Sequence, residues 1–284
     1  MLKILALSLL MTNAFAGTLD TVCEQATKFE PSFTMGYVAH GVNPYKSVIE
    51  SFDGKVISEA ATQIRAIVAD AGTIWALTPT QLVQINMQDG SAEFTHDVVG
   101  ANSMVQFGRR LMITRGLGGI MTIDMDTHDL GWEMTDEDVW SGGITTDGAV
   151  LYVAAATSHD KGFTGILTID PLTGNIMKRT SYDVQRWGVI DNYAKARMAG
   201  ENLVLNNGGW IHLITKKQIQ DDKAIRPRWV AEVVPASGQV NAHYMMMSGD
   251  FLIHDGQVMG CGVYTAEEDS RLVRKSKLVH LKLP

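Results

Sequence analysis

One pattern recurs along this chain: a short apolar segment, a turn that contains glycine, and a longer apolar segment. The pattern is clearest in residues 67–78, 144–157 and 252–265, and weaker copies occupy 104–114 and 197–205. Glycine supplies the positive φ that a tight hairpin turn requires, so each copy is predicted to be two strands joined by a turn. The repeat therefore predicts a series of β-hairpins.

A second strand–turn–strand element follows each hairpin. It is clearest in residues 165–180, where a strand ends in Asp170-Pro171 and returns after Gly174. Similar or weaker elements occupy residues 82–94, 119–132, 46–57, 210–215 with 228–234, and 277–283. Two hairpins in tandem make a four-stranded meander, which is the unit of a β-propeller blade.

The spacing of the hairpin turns indicates how many blades there are. The turn glycines lie about 36, 40, 52 and 56 residues apart and are Gly72, Gly108, Gly148, Gly200 and Gly256. This is the period of a propeller blade with insertions, whereas a parallel sheet would need amphipathic helices between its strands. With residues 33–57 counted as a first, irregular blade, we predict an all-β fold: a single β-propeller of six four-stranded blades over residues 17–284, with five or seven blades as alternatives.

The first 16 residues have the pattern of a secretory signal peptide. Lys3 precedes an apolar run, and the segment ends in Ala-Phe-Ala at residues 14–16. This run is too short for a membrane-spanning helix, which needs roughly 20 apolar residues, and no later segment approaches that length. We therefore expect a mature chain that begins at Gly17 and is periplasmic or secreted, without a membrane span.

Export places the only two cysteines, Cys23 and Cys261, in an oxidising compartment where a pair tends to form a disulfide. Such a bridge would close a long loop, which in the chain-entropy model stabilises the fold by about 4 to 5 kcal/mol. Two separate buried thiols are the alternative. We also expect residues 17–22 to add a fourth strand to the last blade, because an open ring would leave unpaired sheet edges.

The segment Ile169-Asp170-Pro171-Leu-Thr-Gly174, preceded by the strand at residues 151–155, resembles the blade pattern of quinoprotein-like and YVTN-type β-propellers. The resemblance covers most of residues 30–284 as architecture and is clearest in residues 144–180. It implies the propeller fold and no particular reaction. The tryptophan-bearing docking motif that quinoproteins repeat has no second good copy here, so no quinone or other cofactor is expected.

Propellers usually bind ligands where the innermost strands begin, at one mouth of the central channel. The segments predicted to enter these strands bring arginines, a histidine, amides and aromatic rings to that opening, a combination that suits a small ligand or peptide side chain. The predicted ligand-binding residues are Arg65, Asn102, Trp140, Arg186, Trp187 and His243. For Trp140 and Trp187, packing between neighbouring blades is the alternative interpretation.

Metal and nucleic acid have less support. Calcium prefers oxygen ligands such as those of Asp124, Asp126 and Asp129. These residues lie in a predicted turn, however, and their side chains would stabilise that turn without a metal. The sequence lacks the glycine and distal Glu of an EF-hand, and it has no zinc motif. No metal is therefore predicted, with these three as weak candidates. A formal net charge of −7 argues against binding to phosphate backbones.

These observations favour an exported, monomeric, non-enzymatic propeller that binds a protein, peptide or glycan partner through its channel face. The alternative is a propeller hydrolase or transferase, either a calcium-dependent enzyme like the lactonases or one like glutamine cyclotransferase. The second is suggested because residues 33–36 and Trp187-Gly188 are similar to blade starts of that family. The surrounding acidic residues do not match, so no catalytic residue is assigned.

Overall fold

The computed structural model describes residues 19–24, 30–43, 45–116, 119–135, 139–157, 163–183, 190, 193–229, 245–268 and 271–283. Within these residues the strands form six antiparallel sheets, of which five have four strands and one has three. Each sheet is built from strands that are consecutive in sequence, as expected for a meander. The prediction of a six-bladed β-propeller is confirmed.

The first three blades have these strands. Blade 1 contains β1 (Ser32–Thr34), β2 (Tyr37–Asn43), β3 (Lys46–Ser51) and β4 (Val56–Ala60). Blade 2 contains β5 (Ala66–Asp70), β6 (Thr73–Leu77), β7 (Gln81–Asn86) and β8 (Ala92–Asp97). Blade 3 contains β9 (Ala101–Phe107), β10 (Arg110–Arg115), β11 (Ile120–Asp124) and β12 (Leu130–Met134).

The other three blades follow in the same order. Blade 4 contains β13 (Val139–Thr146), β14 (Leu151–Thr157), β15 (Thr164–Ile169) and β16 (Ile176–Ser181). Blade 5 contains β17 (Lys195–Ala199), β18 (Asn202–Asn207), β19 (Trp210–Thr215) and β20 (Arg228–Trp229), with a short helix, Lys216–Gln220, between β19 and β20. Blade 6 contains β21 (Met245–His254), β22 (Gln257–Glu268) and β23 (Arg271–Lys282).

The first strands of the blades surround the central channel. Each contacts the first strand of the next blade, and β21 contacts β1, so the ring is closed. These strands approach closely at some points: a Cβ atom on Gly143 would lie 2.6 Å from the backbone nitrogen of Ala196 in the next blade. The inner and middle strands are apolar on both faces because blades cover them on both sides, whereas an outer strand such as β16 alternates exposed and partly buried residues.

Every blade turns from its first to its second strand through a glycine with positive φ. The six are Gly36, Gly72, Gly108, Gly148, Gly200 and Gly256. Five of these turns were predicted from the repeat, and Gly36 shows that blade 1 follows the same pattern. These turns lie at the end of the channel where the first strands finish.

The turn between the third and fourth strands of a blade has a second role. In blades 2, 3 and 4 the turn begins with Asn86, Asp124 or Asp170, whose side-chain oxygen accepts a backbone N–H two residues later. This arrangement fixes the turn locally. Each of these turns then packs against the fourth strand of the preceding blade, so it forms part of the joint between the two blades.

Three of these joints illustrate the contact. Ser58 of blade 1 donates a hydrogen bond to the carbonyl of Gly90 in blade 2, at 3.1 Å. The rings of Phe94 in blade 2 and His128 in blade 3 stack with their centroids 4.0 Å apart. Trp132 of blade 3 donates from its indole nitrogen to the carbonyl of Pro171 in blade 4, at 2.9 Å.

The joint between blades 6 and 1 differs from these. Residues 19–24 are helical, so the expectation that residues 17–22 supply a fourth strand is wrong wherever the structure describes them, and blade 6 has three strands there. Leu19 and Val22 pack with Phe52 of the β3–β4 turn of blade 1. The predicted disulfide joins Cys23 of this helix to Cys261 of blade 6, with the two Cα atoms 4.9 Å apart.

Two further expectations concern the return strand of blade 5 and the absence of a membrane span. The return strand expected at residues 228–234 is described only as β20, since residues 230–234 lie outside the described part of the chain. The short helix of blade 5 begins with a capping box in which Thr215 and Gln218 each satisfy a backbone N–H of the other. Among the described residues, no helix has the length and apolar character needed to span a bilayer.

Candidate functional site

The candidate site lies at the channel mouth, which we define as the end of the channel where the first strands begin. Arg65 stands immediately before β5, Asn102 is the second residue of β9, Ser141 the third of β13, and Lys195 the first of β17. Because these residues contact one another, the starts of four first strands meet at one place. Four blades therefore contribute to the site.

A chain of hydrogen bonds connects blades 2, 3 and 4. The guanidinium of Arg65 donates through Nη1 to Oδ1 of Asn102 at 3.3 Å. The amide nitrogen of Asn102 donates in turn to the carbonyl of Ser141 at 3.1 Å. Asn102 is only 5% exposed and uses both ends of its amide, so its position is fixed by two neighbouring blades.

Lys195 extends across the channel from blade 5. Its ammonium donates to the backbone carbonyl of Arg65 at 2.8 Å and to that of Asn102 at 3.1 Å. Burial lowers the pKa of Lys195, and the negative charges of Asp250 and Glu30 oppose this shift. The two carbonyls hold the ammonium in a place where water solvates it poorly.

Two residues further along β17, Arg197 joins blade 5 to blades 1 and 6. Its Nη2 donates to the carbonyl of Phe33 at 2.7 Å and forms a salt bridge with Asp250. Asp250 is 4% exposed and also accepts the backbone N–H of Phe33 at 3.2 Å. Arg197 and Asp250 therefore neutralise each other and fix the seam of the ring.

Two adjoining clefts open at the channel mouth, and we call them together the mouth groove. The first has a volume of about 250 Å³ and is lined by Glu30, Pro31, Ser32, Gln63, Ile64, Arg65, Tyr193, Lys195 and Gly249. The second, about 290 Å³, shares three of these residues and is lined by Glu30, Tyr193, Asn206, Gly208, Gly209, Met247, Ser248, Gly249, Val263 and Arg274. The shared residues make one groove across the mouth.

Tyr193 is the aromatic residue that lines both clefts. It is 54% exposed, and the guanidinium carbon of Arg65 lies 5.0 Å from the centre of its ring. This distance allows a cation–π interaction. The ring therefore orients the Arg65 side chain and also offers a flat apolar surface at the centre of the groove.

The structure places only part of the predicted ligand-binding set. It brings Arg65 and Asn102 together at the mouth, while Arg186, Trp187 and His243 lie outside the described residues. Trp140 lies on β13 next to Ser141, but its side chain is also outside what the structure describes. A ligand-binding role for these residues stays a prediction.

Sequence reasoning missed Lys195 and Arg197 because it took the segment around Arg186 and Trp187 as the entry to blade 5. The described first strand of this blade begins at Lys195. The signal that marks it is the turn at Gly200: in blades 1, 2 and 3 the first strand begins four to seven residues before the corresponding glycine. Counting back from Gly200 would have placed both residues at the channel.

The three weak calcium candidates have other partners or positions. Asp126 forms a salt bridge with Arg109, which also pairs with Asp70 of blade 2. Asp124 accepts the backbone N–H groups of Asp126 and Thr127, and these bonds lower its pKa. Asp129 is exposed at the same turn. No group of three or more metal-ligating side chains occurs in the described part of the chain.

Comparisons with known proteins support the fold but do not identify a function. No protein-family model matches the sequence, and no curated protein matches it significantly. The β-propeller domain of Cps50 (Swd1) from Myceliophteria thermophila matches with a TM-score of 0.53 and 14% identity, covering 91% of this chain and 86% of that one. This similarity supports the propeller fold alone.

Two other solved structures match more distantly. BamB from Moraxella catarrhalis has a TM-score of 0.49 and 10% identity, covering 88% of this chain and 68% of that one. The computationally designed Ika8 protein has a TM-score of 0.47 and 9% identity, covering 90% of this chain and 97% of that one.

Proposed function

We propose that this chain is an exported β-propeller that binds a segment of a protein or peptide partner in the mouth groove. The observation that carries the proposal is the groove itself, where charged and aromatic side chains from several blades converge above the Lys195 and Arg197 contacts. A concave surface with a few fixed polar groups beside an aromatic ring suits ligand recognition. Its elongated form, two adjoining clefts, suits an extended chain.

We assign binding and not catalysis to this site. The charged groups at the mouth are held by backbone carbonyls or by each other, as Lys195, Arg197 and Asp250 are. Such contacts maintain the shape of the ring. They leave Arg65 and Tyr193, at the groove surface, as the residues best placed to contact a partner.

Export is supported by the signal-peptide pattern of residues 1–16 and by the disulfide between Cys23 and Cys261, since disulfides persist mainly in oxidising compartments. Secretion of the full-length chain from a bacterial host tests this part of the proposal. A periplasmic protein that begins at Gly17 would support it. A cytoplasmic protein that still carries residues 1–16 would contradict it.

A displayed library of random peptides, selected against the disulfide-bonded protein, tests the binding function. We expect enriched peptides whose binding is lost in Tyr193→Ala, because truncation removes the ring that lines both clefts. Leu172→Ala is the matched control: it truncates another exposed side chain, 67% exposed, in the β15–β16 turn at the opposite end of the channel. Equal binding to both variants, or no enrichment with the wild-type protein, would contradict the proposal.

A further inference from the structure

The mouth groove contains positive charge that the described residues do not neutralise. The charged side chains that line the first cleft are Arg65, Lys195 and Glu30, whereas Arg197, also on β17, is paired with Asp250. Two cations therefore face one carboxylate, in a protein whose formal net charge is −7. A local charge opposite to the overall charge favours an anionic ligand at this place.

The hydrogen-bond donors of the two cations point to the same conclusion. Arg65 has five N–H donors, and its described hydrogen bond to Asn102 uses only Nη1; Nε is buried and has no acceptor among the described residues. The ammonium of Lys195 has three donors, of which two reach the carbonyls of Arg65 and Asn102. The third donor of Lys195 lies in a poorly solvated place, where a donor without an acceptor costs free energy that an anion would recover.

We propose that the mouth groove recognises the side-chain carboxylates of an acidic peptide segment, with one carboxylate accepting hydrogen bonds from Arg65 and Lys195. This inference rests on the proposed function and specifies the chemistry of the partner. A carboxylate offers two oxygens in the geometry that a guanidinium matches. The Nη2 donors of Arg65 are the ones left for this carboxylate, because Nη1 donates to Asn102 and Nε is buried.

The shape of the groove favours a peptide over a small free anion. The second cleft extends from the shared residues Glu30 and Tyr193 to Arg274, an exposed cation at the far end. A segment with acidic residues near both ends would satisfy Arg65 and Arg274 together. Glu30 lies between them, where it would repel a third carboxylate and accept a backbone N–H of the peptide.

Synthetic peptides test this inference by calorimetric titration of the full mature, disulfide-bonded protein. The probes are amidated hexaglutamate, amidated hexaglutamine, and hexaglutamine with a free terminal carboxylate. We expect hexaglutamate to bind and to weaken as salt rises, and both hexaglutamine peptides to bind at least about ten-fold more weakly, since charge-assisted hydrogen bonds contribute more than neutral ones.

Arg65→Gln should weaken hexaglutamate binding by about ten-fold or more, because it removes the charge but keeps an amide near Asn102. The matched control is Arg109→Gln, which removes the same charge in the β9–β10 turn at the opposite end of the channel. Arg65→Lys keeps the charge without the forked donors and should give an intermediate loss. Thermal melts of all three variants show whether they are folded. If Arg65→Gln is unfolded, the binding of hexaglutamate to Arg65→Lys tests the inference instead.

The outcomes separate this inference from the proposed function. If the library yields peptides that bind at Tyr193 but hexaglutamate binds no better than amidated hexaglutamine, carboxylate recognition is wrong and peptide binding stands. Equal loss in Arg65→Gln and Arg109→Gln would mean non-specific charge attraction and would also overturn it. Equal binding of the free-terminus hexaglutamine would overturn it by assigning the groove to a chain terminus. If neither library peptides nor hexaglutamate bind, both proposals fail.

Discussion

The joint between blades 3 and 4 and the joint between blades 6 and 1 close the same ring by different means. At the first, Trp132 on the outer strand of blade 3 covers the β15–β16 turn of blade 4 and donates a hydrogen bond to it. At the second, the helix at residues 19–24 occupies the corresponding place and is linked to blade 6 by the Cys23–Cys261 disulfide. An outer strand is part of its sheet, whereas a helix outside the sheet depends on tertiary packing and on links such as this disulfide.

This difference indicates why the closure joint is covalent. The backbone of a fourth strand is held by a ladder of hydrogen bonds, whereas the contacts of the helix include apolar packing, the disulfide and a hydrogen bond from Ser276 to the carbonyl of Cys23. The disulfide therefore attaches the covering helix to blade 6, as strand pairing attaches the outer strand to its blade at the other joints. Three predictions about the joints between blades follow from this comparison, in order of decreasing effect.

Removal of the disulfide should have the largest effect. The double substitution Cys23→Ala with Cys261→Ala should lower the free energy of unfolding by about 2 to 5 kcal/mol, because the helix loses its covalent link to blade 6 and the unfolded chain gains freedom. Denaturation in urea, compared with the disulfide-bonded wild-type protein, measures this loss, and the wild-type protein in reducing agent should lose a similar amount. A change of less than about 1 kcal/mol would show that apolar packing of the helix is enough to close the ring.

The joint between blades 4 and 5 should respond to acid. His212 on β19 is 3% exposed and stacks against Tyr182, with ring centroids 6.1 Å apart. Burial lowers the pKa of His212 from 6.5 to about 4. Since its folded pKa lies below its unfolded one, the neutral ring supports the folded state fully above pH 6.5, and this stabilisation is lost as the pH falls toward 4.

The loss amounts to about 3 kcal/mol over this range. It should appear as a fall in the urea midpoint between pH 7 and pH 4, and His212→Gln should reduce the fall because glutamine does not titrate. His280→Gln, at an exposed histidine of blade 6, should retain the wild-type pH dependence. If all three proteins lose stability in parallel, acid acts elsewhere and the 4–5 joint is not the sensitive one.

The blades could be predicted from the sequence because their turns are local. A tight turn requires positive φ at one residue, and glycine adopts positive φ easily. A glycine between two apolar segments therefore indicates a turn, as at Gly148 and Gly256. The disulfide could be predicted as well, since the chain has only two cysteines and its leader indicates an oxidising compartment. Both inferences need only short-range pattern or composition.

The closure helix and the Lys195 contacts could not be predicted in the same way. Whether residues 19–24 form a strand or a helix depends on the surface that blades 6 and 1 present to them. The acceptors of Lys195 belong to blades 2 and 3, far away in sequence, and they are defined only once the ring has closed. The half of the site that sequence found, Arg65 and Asn102, lies at predicted strand starts.

The smallest effect should come from two glycines with the same backbone requirement but different surroundings. Gly174 and Gly148 have φ of 76° and 89°, so replacing either with alanine strains the backbone by about 1 kcal/mol. A Cβ at Gly148 would meet no atom within 4 Å, whereas at Gly174 it would lie 2.5 Å from Cε3 of Trp132. Gly174→Ala should therefore cost about 1 to 2 kcal/mol more than Gly148→Ala in urea denaturation.

This excess measures the packing of the 3–4 joint, and a double-mutant cycle isolates it. In a Trp132→Ala background the clash is absent, so the two glycine substitutions should cost the same. Equal costs already in the wild-type background would mean that Trp132 moves aside without loss. The 3–4 joint would then rest on the apolar side chains between the two sheets, such as Met112 and Leu151, and not on the contact of the outer strand.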